Sequence, residues 1–429
     1  MRDPVSPAPV TVVGIGADGW PGLAPGSRAA LREAEVVIGG PRQLELLPED
    51  CTGERVAWPS PLRPAVPGLL AAHAGRRVCV LASGDPMFFG IGRTLVDVLG
   101  DAAGLRVLPH PSSVSYACAR LGWPLDDTEV VSLVGRPLGS LVAALHPGRR
   151  LLVLSAGAGT PAEVAALLAA RGFGPSRLTL LEQLGGPRER RVEGPAEGWP
   201  HPPGDALNVL AVECRAAEST HRLPLTPGLP DESFEHDGQL TKRHVRAVTL
   251  ATLAPAPGEL LWDVGGGSGS IGVEWMRAHR SCRAVAVERD PVRAGRIARN
   301  AEALGVPALR VVIGAAPAAL AGLPTPDAVF VGGGLTAPGL LEACWEALPA
   351  GGRLVANTVT LESEALLTGW YRRHGGELTR LAVARAVPVG GFTGWRQAMP
   401  VTQWSVTKPR GPVAEPVQPV DPAQGELQP

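Results

Sequence analysis

Residues 262–275, which read WDVGGGSGSIGVEW, have the types and the spacing needed to hold a nucleotide-like cofactor. We predict a buried strand that ends in Asp263, then a glycine loop, then a helix that begins near Ser270. Glycine permits positive φ angles and lets backbone N–H groups approach a ligand closely. The glycines concerned alternate along the loop as Gly265, Gly267 and Gly269. The sequence therefore predicts a cofactor site where this strand ends.

An acidic residue follows at the spacing expected of a ribose ligand. Glu288 lies 19 positions after Gly269 and ends the next apolar run, RAVAVE. A carboxylate at that place can accept hydrogen bonds from both ribose hydroxyls of a nucleotide, in NAD sites and in S-adenosylmethionine sites alike. The G-x-G-x-G spacing differs from the dinucleotide fingerprint G-x-G-x-x-G, whose third glycine would fall at Ser270. This spacing favours a methyltransferase over an oxidoreductase.

Two α/β domains are expected around these motifs, because apolar runs alternate with helical patterns over two separate stretches. The stretches are residues 10–214 and 231–408, and seven strands are expected in each. In the second, helices between the first five strands predict a doubly wound sheet that ends in an antiparallel hairpin, with its sixth strand at residues 379–387. Residues 215–230 lack periodicity and contain prolines, which predicts a linker. Residues 409–429 are polar and rich in proline, which predicts a disordered tail.

The composition limits the classes of partner and substrate that the protein is expected to bind. The 429 residues carry a formal net charge of -1 and no basic tract, so we expect neither nucleic acid nor an anionic membrane as a partner. Six scattered cysteines without CxxC spacing predict reduced core residues, with neither a zinc site nor disulfides. The first residues lack a signal-peptide pattern, and no apolar run reaches the about 18 residues of a membrane span. We expect a cytoplasmic protein with a small-molecule substrate.

Motifs run through the second stretch in this order: LTKRHVR (240–246), WDVGGGSGS (262–270), AVERD (286–290), IGAAPAAL (313–320), PDAVFVGGG (326–334), GGRLVANTVTLE (351–362) and PVTQW (400–404). Together they resemble the decarboxylating domain of the precorrin-6Y methyltransferases, which has the class I, Rossmann-like methyltransferase fold. The resemblance implies a cofactor pocket lined by Thr241, Gly265, Gly266, Gly267, Ser268, Gly269, Glu288 and Ala316. One motif departs from the family, whose usual GGSGG reads GGGLT at residues 332–336.

The first stretch carries a second set of motifs: VVGIGADG (12–19), GDPMFFGIG (84–92), PSSVSYACARLGWPLDD (111–127), SLVGRP (132–137), EQLGGPRERR (182–191) and LNVLAVE (207–213). They resemble the tetrapyrrole methylases, whose two-lobed fold holds its cofactor in a cleft between the lobes. The residues implied at the cofactor are Gly14, Gly84, Asp85, Met87, Ser113 and Leu184. The family often has histidine before the Gly-Arg pair, whereas Val134 stands here, so no imidazole role is expected.

The two resemblances imply a bifunctional enzyme of cobalamin biosynthesis that binds one S-adenosylmethionine in each domain. Residues 10–214 would methylate carbon 5 of the corrin precursor, and residues 231–408 would methylate carbon 15 and remove the ring C acetate carboxylate, which converts precorrin-6B to precorrin-8X. Arginine and lysine suit the carboxylate rim of such a substrate. The candidates are Arg136, Lys242, Arg243 and Arg246. The macrocycle supplies the electrons, so no metal and no particular catalytic base are expected.

Other functions stay open at this point. A tRNA-modifying class I methyltransferase with an accessory domain would have the same glycine loop, although no basic stripe supports it. An NAD-dependent oxidoreductase, or a non-catalytic nucleotide sensor, would use the same pairing of loop and acidic residue. The formation of a homo-oligomer is left open as well.

Overall fold

The computed structural model describes residues 10–100, 104–220 and 223–410, so the predicted tail lies outside the described residues from residue 411 onward. The chain splits into two compact units, Met1–Arg222 and Leu223–Pro429. The boundary falls inside the stretch predicted as a linker. Each unit has its own sheets and its own apolar clusters.

The first sheet of the first unit is five-stranded and parallel, in the order β3-β2-β4-β1-β5. Its central strands are buried on both faces, as their continuous apolar runs require. The strands are β1 (Val10–Ile15), β2 (Val36–Gly39), β3 (Glu54–Ala57), β4 (Val78–Ser83) and β5 (Leu105–Leu108). The helices are α1 (Gly19–Gly22), α2 (Pro25–Glu33), α3 (Pro41–Glu45), α4 (Leu62–Ala72) and α5 (Ile91–Leu99).

The second sheet of this unit has the order β6-β7-β10-β8-β9, with β6 and β7 parallel and the other pairs antiparallel. Its strands are β6 (Thr128–Ser132), β7 (Arg150–Leu154), β8 (Arg177–Glu182), β9 (Arg190–Pro195) and β10 (Asn208–Glu213). Its helices are α6 (Ser113–Leu121), the 3-10 helix Leu138–Ala144 and α7 (Thr160–Ala170). Helix α6 starts at Ser113 because the Ser112 hydroxyl caps it, accepting a hydrogen bond from the Ser115 N–H at 3.1 Å.

Three strands of the first unit were not predicted. Strands β2 and β3 have four residues each, and β3 contains two charged residues among its four. Strand β9 begins with two arginines and lies at the edge of its sheet, where charged side chains are tolerated. Such short or charged segments give little hydrophobic pattern.

The second unit contains a seven-stranded sheet in the order β13-β12-β11-β14-β15-β19-β16. The first five strands in that order are parallel, and β19 runs antiparallel to both of its neighbours. The strands are β11 (Leu260–Val264), β12 (Arg283–Glu288), β13 (Arg310–Ile313), β14 (Ala328–Val331), β15 (Arg353–Thr358), β16 (Glu377–Leu381) and β19 (Val401–Thr407). The helices are α8 (Arg243–Leu253), α9 (Ser270–Ala278), α10 (Pro291–Ala303), α11 (Leu340–Ala347) and α12 (Leu361–His374), with 3-10 helices at Asp231–Ser233 and Ala318–Leu320.

The end of this sheet differs from the prediction. The run expected as one strand at residues 379–387 is divided between β16 and a separate strand, β17 (Ala384–Val389). Strand β17 pairs with β18 (Phe392–Gln397), in a two-stranded sheet. Strands β16 and β19 are antiparallel neighbours as expected, but this hairpin is inserted between them in the chain.

Most of the predicted linker is anchored to one unit or the other. On the first side, the Ala217 N–H donates to the Gly172 carbonyl at 2.8 Å. On the second side, the Gly228 N–H donates to the buried Glu274 carboxylate at 2.5 Å. The segment that connects the units is therefore shorter than residues 215–230.

Two further sequence expectations concern helices and cysteines. Among the described residues, no helix is long and apolar enough to cross a bilayer. All six cysteines are free and buried, so the prediction that they are core residues is confirmed.

Candidate functional site

The site of the second unit lies where the parallel strands of its sheet end. The N–H groups of Gly265 and Gly266 donate to the Val287 carbonyl at 3.0 and 3.1 Å, which ties the glycine loop to β12. The Gly314 N–H donates to the Glu288 carbonyl at 3.0 Å, which brings in the segment after β13. Ligands of open α/β sheets bind at this carboxyl edge of the strands.

The glycines of the loop serve two purposes. All three alternating glycines have positive φ, at 75°, 58° and 76°. A Cβ on Gly265 would lie 2.9 Å from the Gly333 nitrogen, and one on Gly269 would lie 2.6 Å from Ile297 Cγ2. A Cβ on Gly267 would meet the Gln239 carbonyl oxygen at 3.4 Å, an ordinary contact. Gly265 and Gly269 therefore permit close packing, whereas at Gly267 only the positive φ requires glycine.

Glu288 directs its carboxylate at the backbone of the glycine loop. Its Oε2 accepts a hydrogen bond from the Gly267 N–H at 2.8 Å, and its Oε1 accepts one from the Asp290 N–H at 3.0 Å. The residue is buried, and each carboxylate oxygen has a further lone pair to offer. The structure therefore brings together the loop and the acidic residue that the spacing pairs.

Asp263, at the end of β11, is a buried carboxyl group beneath the loop. Its Oδ2 accepts a hydrogen bond from the Gly272 N–H at 2.9 Å, in the first turn of α9. Burial is the main cause that raises the pKa of Asp263 to about 7; the hydrogen bond from Gly272 opposes the rise, and the negative charge of Glu288 adds to it. Sequence reasoning placed Asp263 only as a strand end and missed this carboxyl group.

Three other predicted cofactor residues lie around the loop. Ser268 is buried, and its hydroxyl oxygen has no hydrogen-bond partner in the described structure. Thr241 is half-buried two residues after Gln239, whose carbonyl approaches Gly267. Ala316 follows β13, the strand that pairs with the end of β12.

The prediction for Arg246 is wrong. Its side chain is fully buried and donates from Nε to Glu274 Oε1 at 2.6 Å and from Nη1 to the Thr241 carbonyl at 2.5 Å. It also donates to the Leu229 carbonyl. A cation with its hydrogen bonds satisfied inside the protein cannot reach a substrate carboxylate. Arg246 instead holds the backbone around Thr241.

The other two basic candidates of the second unit are exposed. Lys242 and Arg243 lie where α8 begins, directly after Thr241. Cations at a helix N-terminus are unfavourable, because the helix dipole is positive there. An anion bound beside them would relieve that repulsion.

In the first unit, a cavity of about 90 Å³ is lined by residues from both sheets. The predicted residues that line it are Gly84, Ser113 and Leu184. Gly14 lies directly behind the cavity, since a Cβ there would be 2.0 Å from the Gly84 carbonyl oxygen. Asp85 and Met87 belong to the loop that leaves the cavity at Gly84, and the Asp85 carboxylate accepts a hydrogen bond from the Met87 N–H at 2.9 Å.

Polar residues that sequence reasoning missed line the same cavity: Arg42, Tyr116 and Asn208. Arg42 follows β2, a strand that the sequence did not reveal, and donates to the Ser83 hydroxyl at 2.9 Å. Burial lowers the pKa of Arg42, and the negative charge of Asp205 opposes that effect. Oδ1 of Asn208 is buried without a hydrogen-bond partner in the described structure.

His110 and Asp18 form a pair behind the wall of this cavity. His110 Nε2 lies 3.0 Å from Asp18 Oδ2, and the Tyr116 hydroxyl donates to the same oxygen at 3.5 Å. His110 is buried. The negative charge of Asp18 adds to burial in raising the pKa of Tyr116. No local motif links these three residues, since the two ends of the group are 98 positions apart.

Arg136, the basic candidate of the first unit, is exposed. Its guanidinium carbon lies 5.1 Å from the centroid of the Phe89 ring. Phe89 belongs to the loop after β4 and Arg136 to the loop after β6, so this contact joins the two sheets of the unit.

Comparisons with known proteins match each unit separately. The family described as "Precorrin methyltransferase domain" matches residues 232–408. The family described as "Tetrapyrrole (Corrin/Porphyrin) Methylases" matches residues 9–198.

Comparison with curated proteins also gives matches over the whole length and over part of it. A precorrin-6Y C(5,15)-methyltransferase [decarboxylating] of Sinorhizobium sp is 53% identical over 93% of this chain and 96% of its own. A cobalt-precorrin-7 C(5)-methyltransferase of Salmonella typhimurium is 34% identical over 42% of this chain and 88% of its own. A probable cobalt-precorrin-6B C(15)-methyltransferase (decarboxylating) of Pyrobaculum calidifontis is 42% identical over 39% of this chain and 89% of its own.

A solved structure is similar to part of the chain. The C-terminal domain of precorrin-6Y C5,15-methyltransferase from Rhodobacter capsulatus is 50% identical and covers 43% of this chain and 100% of its own, with a TM-score of 0.42.

Proposed function

Because the chain belongs to the family of precorrin-6Y C(5,15)-methyltransferases (decarboxylating), we propose that it methylates precorrin-6B at carbons 5 and 15 and removes the ring C acetate carboxylate, yielding precorrin-8X. The match over nearly the whole of both chains carries this proposal. The rival functions left open by the sequence have no such support.

The residues at the carboxyl edge of the second sheet fit S-adenosylmethionine. When bound, this cofactor supplies a methyl group on a positively charged sulfur. Glu288 has lone pairs free for two ribose hydroxyls, and it lies beside the glycine loop. The unpartnered Ser268 hydroxyl is a further polar group that a ligand could satisfy. We assign cofactor binding in this unit to Thr241, Gly265–Gly269, Glu288 and Ala316.

The cavity of the first unit is proposed as a second cofactor site. It combines an apolar wall, formed by Leu181, Leu184 and Val209, with the polar side chains of Arg42 and Asn208. Ligand sites of this kind are mostly apolar with a few placed polar groups. We therefore propose one S-adenosylmethionine in each unit.

We also propose that the two units catalyse different reactions. Carbon-5 methylation is assigned to the first unit, and carbon-15 methylation with decarboxylation to the second. The separate C(5) and C(15) relatives, each matching less than half of this chain, support the idea that the two activities belong to different parts of it. The match of residues 9–198 to tetrapyrrole methylases supports the assignment of carbon-5 methylation to the first unit.

The chain's own residues orient the reactants and keep water out. The ring carbons that receive the methyl groups are enamine-like nucleophiles, so the macrocycle supplies the electrons for transfer. We assign the binding of rim carboxylates to Lys242 and Arg243, which follow Thr241 where α8 begins, and Arg246 fixes the Thr241 backbone beside them. Correct positioning of the reacting atoms is then the main contribution of the protein.

Mass spectrometry of the products from precorrin-6B and S-adenosylmethionine tests the activity. We expect two methyl groups gained and one carbon dioxide lost. Calorimetry with S-adenosylhomocysteine should find two molecules bound per chain. Product formation with a single binding site would refute one cofactor per unit, and the absence of any methylated product would refute the proposed reaction.

A further inference from the structure

Two loops of the first unit expose large apolar side chains beside an arginine. The loop after β4 carries Phe88 and Phe89, which are 37% and 44% exposed, and the loop after β6 carries Val134, which is 60% exposed. Arg136 lies over the Phe89 ring. We call Phe88, Phe89, Val134 and Arg136 the aromatic–arginine surface.

The first of these loops has a defined shape. The Gly92 N–H donates to the Pro86 carbonyl at 2.9 Å, which closes the loop on itself. Phe89 has a φ of 53°, a left-handed conformation that bulky residues rarely adopt. Strained backbone of this kind persists where the surrounding structure imposes it, and it clusters at functional sites. The backbone of the loop therefore holds the Phe89 ring in its exposed position.

The second loop presents the guanidinium of Arg136 at the surface. The Arg136 N–H donates to the Leu133 carbonyl at 3.1 Å, and Gly135 has a φ of 63°, so residues 133–136 form a turn. Arg136 Nη1 donates to the Ser132 carbonyl at 3.4 Å. Within residues 10–100, 104–220 and 223–410, no carboxylate forms an ion pair with Arg136. Its positive charge remains available to an anion.

We propose that the aromatic–arginine surface binds the tetrapyrrole substrate of carbon-5 methylation. The inference rests on the proposed function and adds the residues that recognise the substrate. A tetrapyrrole is a flat ring system with apolar faces and a rim of carboxylates. The Phe88 and Phe89 rings suit the faces, and a guanidinium binds a carboxylate in a bidentate manner. A ligand that has only one of these features would leave half of the surface unused.

The position of the surface agrees with this assignment. Gly84 lines the cavity proposed for the cofactor and begins the loop that carries the two phenylalanines. A macrocycle on these rings lies next to the cavity, as transfer of a methyl group requires. The contact between Phe89 and Arg136 joins the two sheets, so a bound macrocycle would touch both.

Two variants of the full-length chain test the proposal. Arg136→Gln removes the charge, and Phe89→Gly removes the ring while suiting the positive φ, so folding should be retained. Arg149→Gln is the matched control, because Arg149 is an exposed arginine of the same unit that pairs with Glu129. The readouts are fluorescence titration with uroporphyrin III, product mass spectrometry from precorrin-6B, and calorimetry with S-adenosylhomocysteine.

We expect Arg136→Gln to weaken binding of one uroporphyrin III by about tenfold or more, since it removes a charge-assisted contact. Phe89→Gly should weaken it as well. Both variants should accumulate product that is decarboxylated and methylated once, with unchanged affinity for S-adenosylhomocysteine. Wild-type behaviour of both variants, in an enzyme that does methylate carbon 5, would overturn this inference alone. A wild-type chain that never methylates carbon 5 would instead overturn the proposed function.

Discussion

The Gly267 N–H donates to Glu288 Oε2 at 2.8 Å, which joins the glycine loop to the acidic residue at the end of the neighbouring strand. Gly267 is partly exposed, and Glu288 is buried beside it. The same carboxylate therefore fixes the loop and retains acceptor capacity for a ligand.

Glu288→Ala should weaken cofactor binding to the second unit by about 1.5–3 kcal/mol, the range expected for hydrogen bonds to a charged group. Calorimetry with S-adenosylhomocysteine should find one site weakened and the other unchanged. Methylation at carbon 15 should fall while carbon 5 is spared.

Glu288→Gln provides the comparison for that variant, since it keeps one acceptor oxygen and should lose less affinity. Glu342→Ala, an exposed carboxylate on α11, should have no effect. Equal loss of methylation at both carbons, in a folded Glu288→Ala protein, would mean that the units do not act separately.

Burial makes the stability of the second unit depend on pH through Asp263. The pKa of this carboxyl group is raised from 3.8 to about 7 in the folded protein. The stability that this raised pKa contributes is fully present below the unfolded-state pKa of 3.8, and it is lost as the pH rises from there through about 7. Asp263→Asn removes the titration and keeps an acceptor for the Gly272 N–H. The variant should therefore gain stability relative to wild type across this range and stay level above it.

Urea titrations at several pH values, with hydrogen exchange of β11 as the readout, measure this difference. Glu346→Gln, which neutralises an exposed carboxylate, should follow the wild type. A constant difference between Asp263→Asn and wild type from about pH 4 to about pH 8 would show that Asp263 does not titrate as described.

The part of the site that could be predicted is formed by residues that lie close together in the sequence. The glycine loop and Glu288 belong to one strand–loop–helix–strand segment, and their spacing alone indicates that they meet. Arg42 and Asn208 could not be found in this way, because they are 166 positions apart and only the tertiary fold brings them to one cavity. The role of Arg246 was misjudged because its helix pattern does not show that Glu274 is buried beside it.

The strands that could be predicted are likewise those with a local apolar pattern. The parallel strands of the second sheet lie within apolar runs and were predicted, whereas β17 and β18 are exposed along most of their length and lack a buried-strand pattern.

Breaking the pair of Arg246 and Glu274 should destabilise the second unit. Arg246→Met leaves the buried Glu274 charge without its partner, at a cost of about 3–5 kcal/mol. The double variant Arg246→Met, Glu274→Met should cost less than the sum of the single variants, since the buried Glu274 charge is removed together with its partner. Thermal unfolding measures both. Arg243→Met, at an exposed arginine one turn earlier, is the control, and an equal loss in it would contradict the structural role of Arg246.

Division of the chain at the unit boundary should give two soluble proteins, because Gly172 and Glu274 hold the adjoining segments to separate cores. A second-unit fragment that begins instead at Glu232 loses the backbone at Gly228 and Leu229 that Glu274 holds, and it should be less stable. Solubility and thermal unfolding of the two second-unit fragments provide this check.

Decarboxylation should remain with the fragment Leu223–Pro429, since that unit matches the precorrin methyltransferase domain. Given precorrin-6B and S-adenosylmethionine, it should add one methyl group and release carbon dioxide, as detected by mass spectrometry and by carbon dioxide trapping. The fragment Met1–Arg222 should release none, and should methylate when it is supplied with the product of the other fragment. Carbon dioxide released by Met1–Arg222 alone would reverse the proposed roles of the two units, because that fragment lacks the loop and the carboxylate to which the second site is assigned.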